Sequence, residues 1–348
     1  MRKFSTAFLS KYLTLLNQTG FEMILPKVIT HQNMNLTSDY DTKALTNGIS
    51  VPLYDMLERG GKAWRASLCL ILSDIFKLDQ QKMLPLAQII DFIHNATLIH
   101  DDLEDKSQKR RGKPCTYLLY GIDRAVNVGA GSYFAPLMHL YTVPFDQATK
   151  DSLIKATIEE LFVIHLGQAT DIEWNNTDSI PTQAQYLRMI TNKTSVLARL
   201  GARYPLIVSK ANSELSEALI THTNNIGISF QITDDLINLQ SEEYAKGRSY
   251  VGEDITEGKK SLIIIRTIQQ NPEKASRLIE ILKMKTSELA LVNEALDIIK
   301  GTDAFEYCQK VGDEILKDSW RRIDKLIDNS EAKQDLHSLT FELLSRKS

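Results

Sequence analysis

The sequence predicts an all-α chain of ten or so helices around one core, on three observations. Proline is scarce, nine in 348 residues, and beyond Pro205 only Pro272 remains. Apolar residues recur at steps of three and four, the spacing that lines one face of a helix. Hairpin signals are missing, since the one Asn-Gly pair, Asn47-Gly48, has no alternating strand on either side.

The elements follow in chain order. MRKFSTAFLSKYLTLLNQTG (1–20) reads as an amphipathic helix with Phe4, Phe8, Leu9, Tyr12, Leu13 and Leu16 on one side. Its Arg2, Lys3 and Lys11 precede the first acid, Glu22, so an organelle transit peptide is the alternative. QNMNLTSDYDTK (32–43) is a loop, which makes residues 1–45 an N-terminal helix and extension and 46–348 the main domain. Leu86, Ile89, Ile90, Ile93 and Ala96 mark a helix running into a group of acids. DKSQKRRGKP (105–114) is the loop after it. Ile154, Ile158, Leu161 and Phe162 mark a later apolar face, and EWNNTDSIPTQ (173–183) and SEEYAKGRSYVGED (241–254) are the remaining clear loops.

Composition narrows the function. The net charge is −3 with 24% charged residues, which gives no bulk attraction to nucleic acid or an anionic membrane. No apolar run approaches the ~18 residues of a membrane span. Cys69, Cys115 and Cys308 form no CxxC pair, which points to a reducing, cytoplasmic setting and away from disulfides or zinc.

The chemistry concentrates in two acid clusters. LIHDDLEDKSQKRRGKP (98–114) holds Asp101, Asp102, Glu104 and Asp105 at the end of an apolar run. On a helix Asp101 and Asp105 share a face and Asp102 flanks it. Like charges at this spacing repel by ~0.2–0.5 kcal/mol per pair, and a cation between them reverses the sign. Oxygen-only ligands that leave room for water and phosphate suit Mg²⁺. The second cluster, Asp234, Asp235 and Asn238 in FQITDDLINL, repeats the pattern with an amide in the last place. Two such clusters imply a ligand rich in phosphate oxygens.

Candidate cations for that ligand are Lys62 and Arg65 in GGKAWR, Arg110 and Arg111 after the first cluster, Lys193 beside Thr194 in NKTSVL, Lys246 and Arg248 in AKGR, and Lys259 and Lys260 in EGKK. No GxxxxGK[ST], GxGxxG after a strand, GxSxG or HExxH is present.

Taken together, GGKAWR, HNATLIHDDLEDKSQKRRGKP, HLGQATDIEW, NKTSVL, FQITDDLINL and GEDITEGKKS resemble the trans-isoprenyl diphosphate synthase (polyprenyl synthetase) family over roughly residues 50 to 320. The resemblance implies an isoprenoid synthase-type helical bundle around a deep central cavity, usually in a homodimer. It implies that Asp101, Asp102, Asp105, Asp234, Asp235 and Asn238 bind Mg²⁺ against an allylic diphosphate, which Arg110, Lys193 and Lys259 also hold. It gives Lys62, Arg65, His94 and Arg111 to isopentenyl diphosphate. It sets Thr194 and Gln231 where positive charge develops, and leaves a further lysine role to Lys246 or Arg248.

Product length would be read from Ala96 and Thr97, small residues about one turn before Asp101, and from Tyr133, Phe134 and His165 as a deeper floor. These resemble the set of eukaryotic-type geranylgeranyl diphosphate synthases and imply a twenty-carbon product. A longer-chain synthase and a terpene cyclase on the same scaffold are the alternatives. A cyclase has no second diphosphate to hold, so Lys62, Arg65, His94 and Arg111 weigh against it. Ala63 and Ala66 depart from the family pattern, as do the long stretch between Lys246 and Lys259 and the extended N-terminus.

Overall fold

The structure, a computed structural model, describes residues 41–240 and 252–345. The expected N-terminal helix over residues 1–20, and Lys246 and Arg248, lie outside the described residues.

The all-α expectation is met. A short helix α1 (Thr42–Leu45) and a π-helical turn (Thr46–Ser50) lead into α2 (Val51–Glu58), α3 (Trp64–Ile75) and α4 (Gln80–Glu104). Then come α5 (Thr116–Tyr120), α6 (Ile122–Leu140), α7 (Gln147–Asn176), α8 (Gln183–Lys193), α9 (Val196–Ser209) and α10 (Ser213–Gln240). The chain ends with α11 (Glu253–Glu257), α12 (Leu262–Gln270), α13 (Pro272–Met284), α14 (Leu289–Lys300), α15 (Ala304–Ile323) and α16 (Glu331–Ser345).

Local signals fix several helix starts. Asp79 caps α4 by accepting from the Gln81 N–H at 3.0 Å. Thr182 and Gln185 close a reciprocal capping box at α8. Asn271 caps α13, whose first residue is Pro272, where a missing N–H is harmless.

One expectation fails. Lys109–Arg110 (β1) pairs antiparallel with Lys113–Pro114 (β2), the only β structure among the described residues. The connecting pair, Arg111 and Gly112, has φ of +54° and +78°, positive at both central positions as a tight hairpin turn requires. Arg-Gly is not a usual signature for that turn, so the sequence reading left this stretch as loop. The loop expected from residue 173 also begins late, because α7 continues to Asn176.

The helices gather into two compact units, where the sequence reading expected one core. The first takes in the described residues up to Glu159, with Leu200–Asn212 and Asn329–Leu339. Its centre is α4, in which Leu86, Ile89, Ile90, Phe92, Ile93 and Ala96 are fully buried. α3 brings Leu68, Leu70, Ile71 and Leu72 to the same interior. The second unit comprises Glu160–Arg199, Ser213–Asp328 and the chain from Thr340, and is built on α10 packed along α15. Its core joins Ile228, Ile232 and Leu236 of α10 to Leu262–Ile265, Ile281 and Ile299. Truncating any one of these side chains to Ala removes roughly 2–5 kcal/mol.

The apolar face marked by Ile154, Ile158, Leu161 and Phe162 is split. Leu161 is buried, but Ile158 is 50% and Phe162 65% exposed, as is much of Leu166. No helix among the described residues is long and apolar enough to cross a membrane.

Candidate functional site

The first acid cluster lies in the last turn of α4. The helix ends at Glu104, and Asp105 is its C-cap, with its N–H on the Asp101 carbonyl at 2.9 Å. Asp101 and Asp105 are half-buried, whereas Asp102 is fully buried. The hairpin folds Arg110 back onto this turn. Its Nε donates to Asp102 Oδ1 at 2.7 Å, its Nη2 forms a still shorter contact to the same oxygen, and Nη2 lies 3.6 Å from Asp101 Oδ2. Burial raises the Asp102 carboxyl above its ordinary range, and Arg110 acts against that rise. Arg59 holds the hairpin from beneath by donating to the Arg110 carbonyl at 3.4 Å and to Asp55 at 2.5 Å.

A second group of cations, from α3 and the hairpin turn, meets α4 about two turns earlier. Arg65, at the start of α3, stacks on the Trp64 ring at 4.5 Å and donates to His94 Nε2 at 3.4 Å. An arginine can only donate, so Nε2 is the bare nitrogen and the His94 proton sits on Nδ1. Burial, with Arg65, Arg111 and Arg110 nearby, holds His94 well below its ordinary pKa, hence neutral. Arg111 donates to Asn95 Oδ1 at 2.9 Å. A Cβ on Gly61 would sit 2.8 Å from Arg111 Nη2, so the glycine leaves room for the guanidinium to lie against the backbone. Asp91 completes the group. Burial raises its carboxyl, while Arg111 and Arg65 pull it back down. Lys62 precedes this cluster, half-buried.

In the second unit, Lys193 ends α8 and donates to Asp171 of α7 at 2.6 Å. Thr194 donates to Gln231 Oε1 at 2.8 Å, and Gln231 Nε2 donates to Asp235 Oδ1 at 2.7 Å. Tyr186 donates to the other oxygen of Asp235 at 2.5 Å. Burial, the largest influence, raises the Asp235 carboxyl to about 6. Lys259 pairs with Glu257 at 2.5 Å and with Asp254 at 3.4 Å.

Asn238 departs from the metal role given to it. Its side chain is 4% exposed, and its Oδ1 accepts from the Asp254 N–H at 3.1 Å. Its backbone carbonyl takes the Gly252 N–H at 3.0 Å. The amide therefore anchors the entry to α11. Of the length-setting residues, Ala96 is buried, Thr97 donates to the His94 carbonyl, and Tyr133 lies 3.3 Å from His100 Nδ1. Phe134, in the first unit, is 67% exposed, and His165, in the second, is exposed as well.

The sequence reading missed Asp91, Asn95, Asp171 and Tyr186 as members of these clusters. A signal existed for each. Asp91 and Asn95 are four apart on one face of α4, and Tyr186 is seven before Lys193, two turns along α8. Asp171 stood unremarked inside the quoted HLGQATDIEW.

Oxygen donors dominate both acid clusters, and Asp102 Oδ2 is a buried acceptor without a hydrogen bond. That chemistry fits a hard divalent ion. Among the described residues no three His, Cys, Asp or Glu side chains converge into a ready-made cage. Mg²⁺ takes few protein ligands and completes its shell with water and phosphate, so the donors still suit it.

The family model for polyprenyl synthetase matches residues 47–299. This chain belongs to the polyprenyl synthetase family. Similar polyprenyl synthetases include a geranylgeranyl pyrophosphate synthase of Dictyostelium discoideum, 36% identical over 262 residues that span 74% of this chain and 82% of that protein. Another, from Gibberella zeae, is 32% identical over 298 residues, 86% of this chain and 77% of that protein. A solved geranylgeranyl pyrophosphate synthetase from Pyrococcus horikoshii superposes with a TM-score of 0.83 at 26% identity, covering 98% of each chain. The fold of this polyprenyl synthetase is therefore the all-α isoprenoid synthase fold.

Proposed function

We propose that this polyprenyl synthetase is a trans-prenyltransferase that condenses isopentenyl diphosphate head-to-tail with an allylic diphosphate and releases geranylgeranyl diphosphate. The observation that carries the reading is the Arg65–His94 and Arg111–Asn95 pair of contacts, set one to two turns before Asp101 on the same helix. It supports a second anion site beside the acid cluster, which a condensing enzyme uses and a cyclase has no need of. The names of the relatives, geranylgeranyl pyrophosphate synthases, support the twenty-carbon product.

Lys62, Arg65 and Arg111 would bind the isopentenyl diphosphate, with the neutral His94 offering its Nδ1–H as a donor. Arg110, Lys193 and Lys259 would orient the allylic diphosphate. Each is already held by an acid, Asp102, Asp171 and Glu257, so little side-chain freedom is lost on binding. Mg²⁺ held by the acids of each cluster, Asp101, Asp102 and Asp105 in one and Asp234 and Asp235 in the other, would supply positive charge to the departing diphosphate. The allylic C–O bond breaks and its electron pair leaves with the diphosphate. The double bond of isopentenyl diphosphate attacks the allylic carbon, and the proton then lost passes to the released diphosphate. Thr194 and Gln231 would present oxygen dipoles to the charge that develops. No protein nucleophile takes part.

A homodimer is part of this reading. Support comes from Leu118, Leu119, Ile122 and Val126, each 46–60% exposed around α5 and the start of α6. The reducing, cytoplasmic setting is in keeping with three buried free thiols.

Incubation with Mg²⁺, labelled isopentenyl diphosphate and each allylic diphosphate in turn tests the activity. Twenty-carbon diphosphate on chromatography is expected. A cyclic hydrocarbon from an allylic substrate alone, or no turnover with any primer, overturns the assignment.

A further inference from the structure

We propose that Arg199 is a positioning residue for the allylic diphosphate site, acting as the clamp on the break between α8 and α9 that carries Lys193 and Thr194. The inference rests on the prenyltransferase reading for what Lys193 binds.

α8 ends at Lys193 and α9 begins at Val196, with Thr194 and Ser195 between them. The N–H groups of Thr194 and Ser195 both turn to the Ile190 carbonyl, at 2.8 and 3.1 Å. In a continuing helix the Ser195 N–H would reach Thr191 instead. The Thr191 carbonyl is met by a side chain, accepting from Arg199 Nη1 at 2.6 Å. The same nitrogen donates to Asn224 Oδ1 of α10 at 2.8 Å. Nη2 and Nε donate to the two oxygens of Glu160 on α7, at 2.7 and 3.3 Å. One guanidinium, on a side chain 12% exposed, thus ties the end of α8 to α7 and α10. The five N–H donors of a planar fork can serve these three groups at once, which an ammonium on a flexible stem does not.

Close backbone approach holds the break from two further sides. A Cβ on Gly167 of α7 would lie 2.4 Å from the Lys193 nitrogen, and one on Gly227 of α10 would lie 2.5 Å from Ser195 Cα. Ser195 Oγ donates to the Asn224 carbonyl at 2.8 Å, a second tie to the residue that Arg199 holds. Lys193 therefore reaches Asp171, at 2.6 Å, from a pinned backbone, and Arg199 acts on it through that backbone.

Steady-state kinetics of the full-length protein test the clamp. Arg199→Met should raise KM for the allylic diphosphate about 10-fold and lower kcat by a similar factor, because a misplacement of about 1 Å can lower a rate roughly 100-fold. KM for isopentenyl diphosphate should stay within about 2-fold, since its site lies on other elements. Arg199→Met also leaves the Glu160 carboxylate buried without this partner, so its melting temperature should fall. The double variant Arg199→Met with Glu160→Gln removes that charge. It should recover most of the melting temperature while the raised allylic KM persists.

An allylic KM that returns to the native value together with stability in the double variant overturns the proposal. Equal rises in both KM values overturn it as well. Should neither variant fold, Gly167→Ala displaces the same break from α7 and should show the same split, and an unchanged allylic KM there removes the clamp. An error in the prenyltransferase reading would appear in the unmodified protein as absence of condensation. Calorimetry with inorganic pyrophosphate and Mg²⁺ then decides the clamp. Binding about 10-fold weaker in the double variant than in the native protein supports it, and equal affinity, or none in either, overturns it.

Discussion

Arg111 donates to Asn95 Oδ1 at 2.9 Å, from a hairpin turn to the middle of a buried helix. Asn95 is 2% exposed and also donates to the Asp91 carbonyl at 2.8 Å, so the arginine is held by a side chain that is itself fixed. Asn95→Ala should free the guanidinium. A hydrogen bond to a charged group contributes about 1.5–3 kcal/mol, so KM for isopentenyl diphosphate should rise roughly 10-fold or more, with KM for the allylic substrate little changed. Steady-state kinetics with each substrate varied in turn measures this. Equal rises in both would place Asn95 outside the isopentenyl site.

Arg110→Ala should act first on stability. It leaves the Asp102 carboxylate buried without its partner, a change of about 3–5 kcal/mol in typical cases. The double variant Arg110→Ala with Asp102→Asn should regain a good part of that loss. Urea denaturation of the single and double variants shows it.

His222 predicts an acid-sensitive fold. It is fully buried between Ser319 at 2.9 Å and Thr340 at 3.1 Å, and burial lowers its pKa to about 3. The unfolded chain takes up that proton near pH 6.5, the folded one only near pH 3. Stability is then fully present above pH 6.5 and is lost as pH falls toward 3, with roughly 2 kcal/mol gone by pH 5. Asp235, with a raised carboxyl, works in the opposite direction. Comparing the native protein with His222→Gln at pH 7 and pH 5 isolates the histidine. The variant should show the shallower slope.

Ala63 has φ +43°, the left-handed region, at the N-cap of α3. A side chain there strains the backbone, so Ala63→Gly should stabilise the protein by about 1 kcal/mol. The denaturation midpoint should rise without change in slope. Lys62 and Arg65 stay in place, so turnover should be preserved.

The homodimer is proposed on the outward side chains Leu118, Leu119, Ile122 and Val126. Ile122→Glu should therefore shift the mass measured by light scattering from dimer toward monomer. A monomeric native protein would remove the homodimer from the proposal.

The helical class and both acid clusters were legible because helix period and carboxylate spacing are local. His94 was singled out through a motif, and the structure places it 3.4 Å from Arg65. Asn95 and Tyr186 escaped because their value depends on what another helix brings opposite them, Arg111 in one case and Asp235 in the other. Phe162 misled for a related reason. Helix period tells which residues share a face, but not whether that face meets a core or open space. The turn at Arg111-Gly112 escaped because the hairpin is held by Arg59 and Asp102, groups distant in sequence, more than by its own turn residues.

Asn238 takes the Gly252 N–H on its backbone oxygen and the Asp254 N–H on its amide oxygen. The chain therefore departs from the end of α10 and is received again at the place it left. For a connection between two points fixed in this way, each doubling of length adds only ~0.6 kcal/mol of closure entropy. Lys259 therefore keeps its address at the entry to the last helices whatever the length of the connection before it.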